Sequence, residues 1–298
     1  MVTRLISANS SEILRMNAQQ LKQSIKASEG RVVLSENIVV HQPSLPDITN
    51  AEIAHAFGAD LILLNLVDVF APQIQGISDQ ANFVQEMHKL VGCPIGVNLE
   101  PIDEGAAMLE ERTVIAQGRR ASVQTLQRLE QLGADFVCFT GNPGSGVSNT
   151  AIISAAKIAK EHFSGLIIAG KMHGAGVDEP VIDAPTVQAL VDVGTDVILV
   201  PAVGTVPGFT DAELRDAVRA AHSAGALVMS TMGTSQESSQ PEVIIDIALR
   251  NKICGVDIQH IGDSGYGGLA PVENIFALSK AIRGQRHTVS RMARSINR

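Results

Sequence analysis

The chain has 298 residues, of which 45% are hydrophobic and 18% charged, with a formal net charge of -8 at pH 7. That acidic balance argues against nucleic acid as a partner, because phosphate backbones are held by basic faces. No stretch reaches the roughly 18 consecutive apolar residues of a membrane span, and Met1–Ser11 lacks the apolar core of a signal peptide; a cytoplasmic protein without a membrane partner is expected.

The apolar residues Ile13, Leu14, Leu21 and Ile25, at loosely helical spacing within Ser11–Ser28, predict a helix that closes the bottom of the fold. Eight short apolar runs then recur: Arg31–Glu36, Asp60–Asn65, Pro94–Glu100, Asp135–Thr140, Leu166–Lys171, Asp196–Val200, Ala226–Ser230 and Ile253–Gln259. Each is followed by a polar or glycine-rich turn and a helix-like stretch, and their starts lie roughly 30 residues apart, one strand–helix unit. Thr49 with Glu52 and Thr210 with Glu213 fit capping boxes, and Asp183 before Ala184-Pro185 marks another helix start. Gly58-Ala59-Asp60, Gly133-Ala134-Asp135 and Gly194-Thr195-Asp196 read as tight turns from a helix into a strand. Cys93, Cys138 and Cys254 have no metal-type spacing and read as buried thiols. Gly284–Arg298 carries Arg286, Arg291, Arg294 and Arg298 and no acidic residue, which suggests a basic surface tail or oligomer arm, or alternatively an anion-binding arm.

Eight such units close a ring, so the expected fold is α/β: a single (β/α)8 TIM barrel over residues 1–298 with an N-terminal helical extension and a basic C-terminal tail. Buried parallel strands are continuous apolar runs, in keeping with a mean hydropathy of +0.17.

Chemistry in such a barrel gathers at the C-terminal ends of the strands. Polar residues are expected there: Glu36, Asn65, Asn98, Glu100, Lys171, Asp257 and Gln259. Because strands alternate faces, Asn98 shares a face with Glu100, and Asp257 with Gln259. Burying so many polar groups requires either mutual pairing or a ligand, and both readings stay open. Lys171 could act as a base or Schiff-base former, or stay charged and hold an anion; His173 could move protons near neutral pH or merely fill its loop. The turns with Gly233, Thr234 and Ser235, and with Gly262, Ser264, Gly265 and Gly267, come after the last two strands, where these barrels often bind phosphate. Asp263 would repel an anion unless a cation intervened. That leaves room for Mg2+, with Glu36, Asp257 and Asp263 (and Glu100) as candidate ligands. Gly144-Ser145-Gly146-Val147-Ser148-Asn149 lacks the third glycine of the dinucleotide fingerprint, and Lys171 stands where an acidic residue would end the next strand; a nicotinamide cofactor is not expected.

Four stretches, Ala27–Arg31, Phe57–Asn65, Thr140–Gly144 and Gly262–Gly267, resemble a bacterial family of TIM-barrel proteins variously labelled phosphonomutase-like or haloacid-dehalogenase-like hydrolase. The resemblance implies an enzyme on a small metabolite. Dehalogenase-type hydrolases use an Asp-x-Asp motif after the first strand, where this chain has Glu36-Asn37-Ile38, so that mechanism does not carry over. Asp263-Ser264-Gly265-Tyr266-Gly267 and Lys171-Met172-His173-Gly174 are similar to motifs of the phosphoenolpyruvate mutase and isocitrate lyase group, but in reversed chain order. No ligand of that group is therefore transferred.

The expectation is lyase or isomerase chemistry next to a carbonyl on a small anionic, phosphorylated or carboxylated metabolite. Glu100 would be proton acceptor, Lys171 clamp and His173 shuttle; Asn65, Asn98, Gln259 and the two late turns would bind substrate. Metal-assisted hydrolysis and non-catalytic metabolite binding are the alternatives, and self-association is left open.

Overall fold

The computed structural model describes residues 2–298. Eight parallel strands close a barrel in chain order: β1 (Val32–Ile38), β2 (Leu61–Asn65), β3 (Ile95–Leu99), β4 (Phe136–Phe139), β5 (Leu166–Gly170), β6 (Val197–Pro201), β7 (Leu227–Met232) and β8 (Ile258–Ile261). Closure comes from β1 against β8, with Val32 opposite Ile258 and Leu34 opposite His260. Two short helices, α1 (Ser10–Ile13) and α2 (Ala18–Lys26), precede the ring. Around it run α3 (Asn50–Ala56), α4 (Phe83–Val91), α5 (Val123–Leu132), α6 (Asn149–His162), α7 (Ala184–Asp192), α8 (Asp211–Ser223), α9 (Pro241–Cys254) and α10 (Val272–Ala293).

The caps read in the sequence form. Thr49 accepts the N–H of Glu52 while Glu52 accepts that of Thr49, and Thr210 with Glu213 repeats the arrangement. Asp183 caps α7 by accepting from Thr186 N.

Two apolar layers hold the ring. The outward faces (Val33, Ile62, Leu64, Val97, Val137, Ile167, Ile198, Val228) pack under the helices. The inward faces (Leu34, Leu61, Leu63, Phe136, Cys138, Leu166, Ile168, Leu199, Met229, Ile258) fill the barrel. Gly96 is inward too: a Cβ there would lie 2.2 Å from the Phe136 ring, so one aromatic occupies the space of two side chains. Leu5, Ile13, Leu21 and Ile25 join the inner cluster, so the N-terminal segment seals the bottom, as two helices where one was expected.

The bottom repeats one device four times. Asp60, Asp135, Asp196 and Asp257 stand just before the even strands, and each carboxylate accepts an N–H from the first or second residue of the preceding odd strand: Val33 at 2.9 Å, Ile95 at 2.7 Å, Ile167 at 3.2 Å and Val228 at 2.9 Å. Every one also meets a cationic or imidazole partner: Arg283 and Arg291 for Asp60, His88 for Asp135, Lys22 and Lys160 for Asp196, His222 for Asp257.

This placement corrects the reading of strand eight. The run Ile253–Gln259 was expected to be strand, but α9 continues to Cys254 and Gly255 stops it at φ 99°, so Gly255-Val256-Asp257 is a fourth bottom turn. Asp257 therefore sits at the end opposite Glu36 and Asp263. Gln259, flanked by inward Ile258 and His260, faces outward and donates to Ala248 O of α9 at 2.8 Å. The C-terminal segment is likewise not a free tail: beyond a kink at Gly284, Arg291 binds Leu5 O and Asp60, Arg294 binds Ser7 O and Asn9, and Arg298 O accepts Ser11 N.

At the top, the long connection after β3 is knitted to the turns after β4 and β5. Leu109 N donates to Gly176 O, Thr113 N to Gly144 O, and Gly146 N to Ala175 O, roofing one side of the barrel mouth.

Candidate active site

Beside that roof a pocket of about 150 Å3 opens into the barrel, lined by Glu36, Asn65, Asn98, Thr140, Asn142, His173, Gly233, Ser235, Glu237, Asp263 and Ser264 among others. Its floor is built by alternation: two residues beyond Leu34, Glu36 turns inward, and two beyond Ile258, His260 does the same. Glu36 Oε2 and His260 Nε2 meet at 2.7 Å, both buried. Burial, and the nearby Glu237 and Glu100 carboxyls, push the Glu36 acid up to about 8. Burial pushes His260 down to about 4 against the pull of Asp263 and Glu237. Around neutrality the pair thus holds one proton on the carboxyl side, donated to the imidazole.

Asp263 stands at the rim, where burial and the Glu36 carboxyl raise it to about 7 even though it accepts from Asn65 Nδ2 at 3.2 Å. Asn65 is the hub of the wall. Its Oδ1 accepts from Leu66 N, Asn98 Nδ2 and Asn142 Nδ2, and its Nδ2 donates to Asn142 Oδ1, tying β2, β3 and the turns after β4 and β8 together. The backbone of Leu66 is left-handed, at φ 64°, held there by the first of these bonds. Glu237, from the turn after β7, accepts Ser264 N at 3.2 Å through Oε1 and leaves Oε2 buried without a partner.

The three residues expected to do the chemistry are placed differently. Glu100 is buried with both oxygens engaged, one by Arg119 at 2.6 Å and one by Asn142 N at 3.1 Å. Lys171 extends to Glu179 Oε1 at 2.6 Å and Gly174 O at 3.3 Å, bracing its own loop; burial lowers its pKa and Glu179 opposes that. Only His173 lines the pocket. Burial and Lys171 lower it to about 4, so it is neutral at physiological pH; Nδ1 accepts Ala175 N at 3.0 Å, which leaves Nε2 carrying the proton as a donor.

Of the expected binding residues, Asn65, Asn98, Gly233, Ser235 and Ser264 line the pocket. Thr234 does not; its hydroxyl is directed at Thr205 O and Gln236. Gly262, Gly265 and Gly267 serve close chain packing: a Cβ would meet Met232 O, Leu269 O and Gln42 O at 2.9, 1.9 and 3.1 Å. As for Mg2+, among the described residues no three His, Cys, Asp or Glu side chains are arranged to hold a metal ion. With Asp257 at the far end and Glu100 engaged, the expected donor set does not fit one.

His260, Glu237 and Thr140 were not anticipated as site residues, whereas Asn142 belongs to the turn after strand four, which could be expected to cradle an anionic group. His260 follows from alternation once Gly255-Val256-Asp257 is recognised as a repeat of the earlier Gly-x-Asp turns. Glu237 lies in an irregular turn, and no periodicity points to it.

The barrel matches solved structures at fold level. It is similar to 2,3-dimethylmalate lyase, a PEP mutase/isocitrate lyase superfamily member (TM-score 0.50, 11% identity, covering 82% of this chain and 80% of that one). It is also similar to a candidate lyase/mutase from Burkholderia cenocepacia (TM-score 0.50, 15% identity, 87% and 83% covered). Identities this low speak for shared architecture alone. No curated protein matches the chain in sequence. Nothing found supports the haloacid-dehalogenase-like label, in keeping with the missing Asp-x-Asp motif. A family model does span almost the whole sequence, residues 6–298, and the chain belongs to that family, described as a domain of unknown function, DUF7916.

Proposed function

We propose that the chain is a lyase or isomerase that moves a proton at a carbon next to a carbonyl in a small, oxygen-rich metabolite. The observation that carries this reading is the pair of buried acids, Glu36 near 8 and Asp263 near 7, facing one pocket. General acid–base groups work best when their pKa lies near the working pH, and burial has moved both carboxyls into that range. Asp263, the more acidic, takes the proton from carbon. Glu36, protonated and backed by His260, returns one to the opposite side of the reacting centre. The His173 Nε2–H stands ready as a hydrogen-bond donor to the oxygen on which negative charge develops. This reassigns the expected roles: Glu100 and Lys171 hold the loops that shape the site, and His173 stays neutral and donates. The fold shared with a protein whose name is 2,3-dimethylmalate lyase adds support for the lyase form of this chemistry.

Exchange of carbon-bound hydrogen in D2O tests the reading, followed by NMR over a panel of small hydroxy acids, keto acids, ketoses and their phosphates. The protein should exchange one position in at least one compound, and Glu36→Gln or Asp263→Asn should each slow that exchange about 100-fold or more. Exchange that survives the double substitution, or no exchange anywhere in the panel, would count against it.

A further inference from the structure

We infer that this pocket is built for an uncharged, hydroxyl-rich carbonyl compound, of the ketose or polyol kind, and not for the phosphorylated metabolite that the glycine-bearing turns suggest. This substrate class belongs to the site proposed above, and it rests on that reading only for what is converted, not for what is bound.

Among the described residues, no lysine or arginine lines the pocket. Lys171 is committed to Glu179, and Arg119 to Glu100. An anion can also be cradled by free backbone N–H groups, but four around the mouth are occupied. Gly262 N donates to Met232 O, Ser264 N to Glu237, Gly268 N to Gly265 O and Asn142 N to Glu100. A phosphate would therefore meet the carboxyls of Glu36, Glu237 and Asp263 with no side-chain cation to offset its charge.

What the wall does offer is acceptors in want of donors. Asn98 Oδ1, Glu237 Oε2 and the hydroxyl of Thr140 are all buried, all on residues lining the pocket, and all without a hydrogen-bond partner. The Asn98 orientation is fixed by its Nδ2 bond to Asn65 Oδ1, so its carbonyl is the free end. Buried polar atoms are rarely left unpaired, and three around one cavity mark the place of a ligand that supplies O–H groups. Its carbonyl would then face the donor side, where His173 carries the Nε2 proton. The small volume suits a few carbon atoms.

Anion binding in such a site requires Glu36 and Asp263 to be protonated, with His173 and His260 neutral beside them, so it should weaken steeply as pH rises. Binding of a neutral polyol should not.

Ligand-observed NMR titrations of the intact chain with erythrulose, dihydroxyacetone, dihydroxyacetone phosphate and inorganic phosphate, at about pH 6 and about pH 8.5, separate the two. The expected result is binding of at least one neutral ketose with little pH dependence, no displacement by phosphate, and about tenfold weakening in Thr140→Val and in Glu237→Gln. Thr140→Val keeps shape and volume, so loss of binding there is not loss of fold. Tighter binding of either phosphate compound at the higher pH would overturn the inference, as would failure of every neutral probe. Hydrogen exchange confined to a phosphorylated compound leaves the acid–base reading standing and this inference overturned; a bound neutral ketose without exchange does the reverse.

Discussion

Both ends of this barrel bury carboxyls, and the two raised acids facing the pocket are treated in the opposite way to the four at the bottom. At the bottom, Asp60, Asp135, Asp196 and Asp257 each accept a strand N–H and each face an Arg, Lys or His partner. At the top, Glu36 and Asp263 repel each other and Glu237, and their partners are neutral, the His260 imidazole for Glu36 and the Asn65 amide for Asp263. The bottom carboxylates fix strand register and close the ring. The top ones raise the energy of the folded state, and no Lys or Arg offsets that cost. Groups that cost stability without shaping the fold are where function is expected.

The bottom gives the largest effect. Asp60→Ala strips Arg283 and Arg291 of their shared partner inside the protein, and an unpaired buried cation costs about 3–5 kcal/mol; urea unfolding should show a loss in that range. A loss under about 1 kcal/mol would mean that the bottom carboxylates matter no more than surface pairs.

The top should respond with the opposite sign and depend on pH. An acid whose pKa is raised on folding stabilises fully below its unfolded value and loses that contribution as pH rises through the folded one. For Glu36 the window runs from 4.5 to about 8, and for Asp263 from 3.8 to about 7. The protein should therefore lose several kcal/mol of stability, on the order of 5, between about pH 5 and pH 8, and Glu36→Gln should remove more than half of that slope. A Glu36→Gln curve that parallels the unsubstituted protein would place the pair among ordinary satisfied groups.

Two threonines sharpen the contrast at smaller scale. Thr140 has no partner for its hydroxyl, whereas the equally buried Thr125 bonds Arg120 O, Ser122 O and Ser122 N. Thr140→Val should leave stability unchanged or raise it slightly, while Thr125→Val should cost about 1–2 kcal/mol; equal costs in denaturant titrations would erase the difference between an unpaired and a fully bonded hydroxyl.

The fold was largely legible because its signals are periodic. Apolar runs repeat at each unit and Gly-x-Asp turns at every second one, and seven of the eight strands lie within one or two residues of their expected bounds. The eighth was misplaced because Ile253 and Cys254, the apolar end of α9, run on into the strand's own apolar residues, and an apolar run does not say where helix ends and strand begins. That shift of five residues moved Asp257 to the wrong end, turned Gln259 inward in place of His260, and concealed the Glu36–His260 pair. The site was less legible for a different reason. Lys171 and Glu100 do end strands as expected, but Glu179, Gly174 and Arg119, which engage them, come from loops whose path no local pattern encodes. Glu237 reaches the pocket in the same way.

The smallest effect separates the ends most cleanly by sign. His222 Nε2 lies 2.8 Å from Asp257 Oδ2, and that hydrogen bond raises the histidine above 6.5. A raised histidine stabilises fully below its unfolded pKa, and the contribution disappears as pH climbs through the folded one. Near neutrality this resembles the slope from Glu36, but its origin is attraction and not repulsion, so substitution acts in opposite directions. Removing Glu36 lifts stability at high pH; His222→Asn lowers it at low pH and changes nothing at high pH. The side chain is 40% exposed, so solvent screening holds the effect to about 0.5 kcal/mol, and it should shrink further in high salt. Matched unfolding curves at low and high ionic strength decide it. A His222→Asn loss that ignores salt would point to lost packing at the barrel bottom, not to the paired charge on which the contrast between the two ends depends.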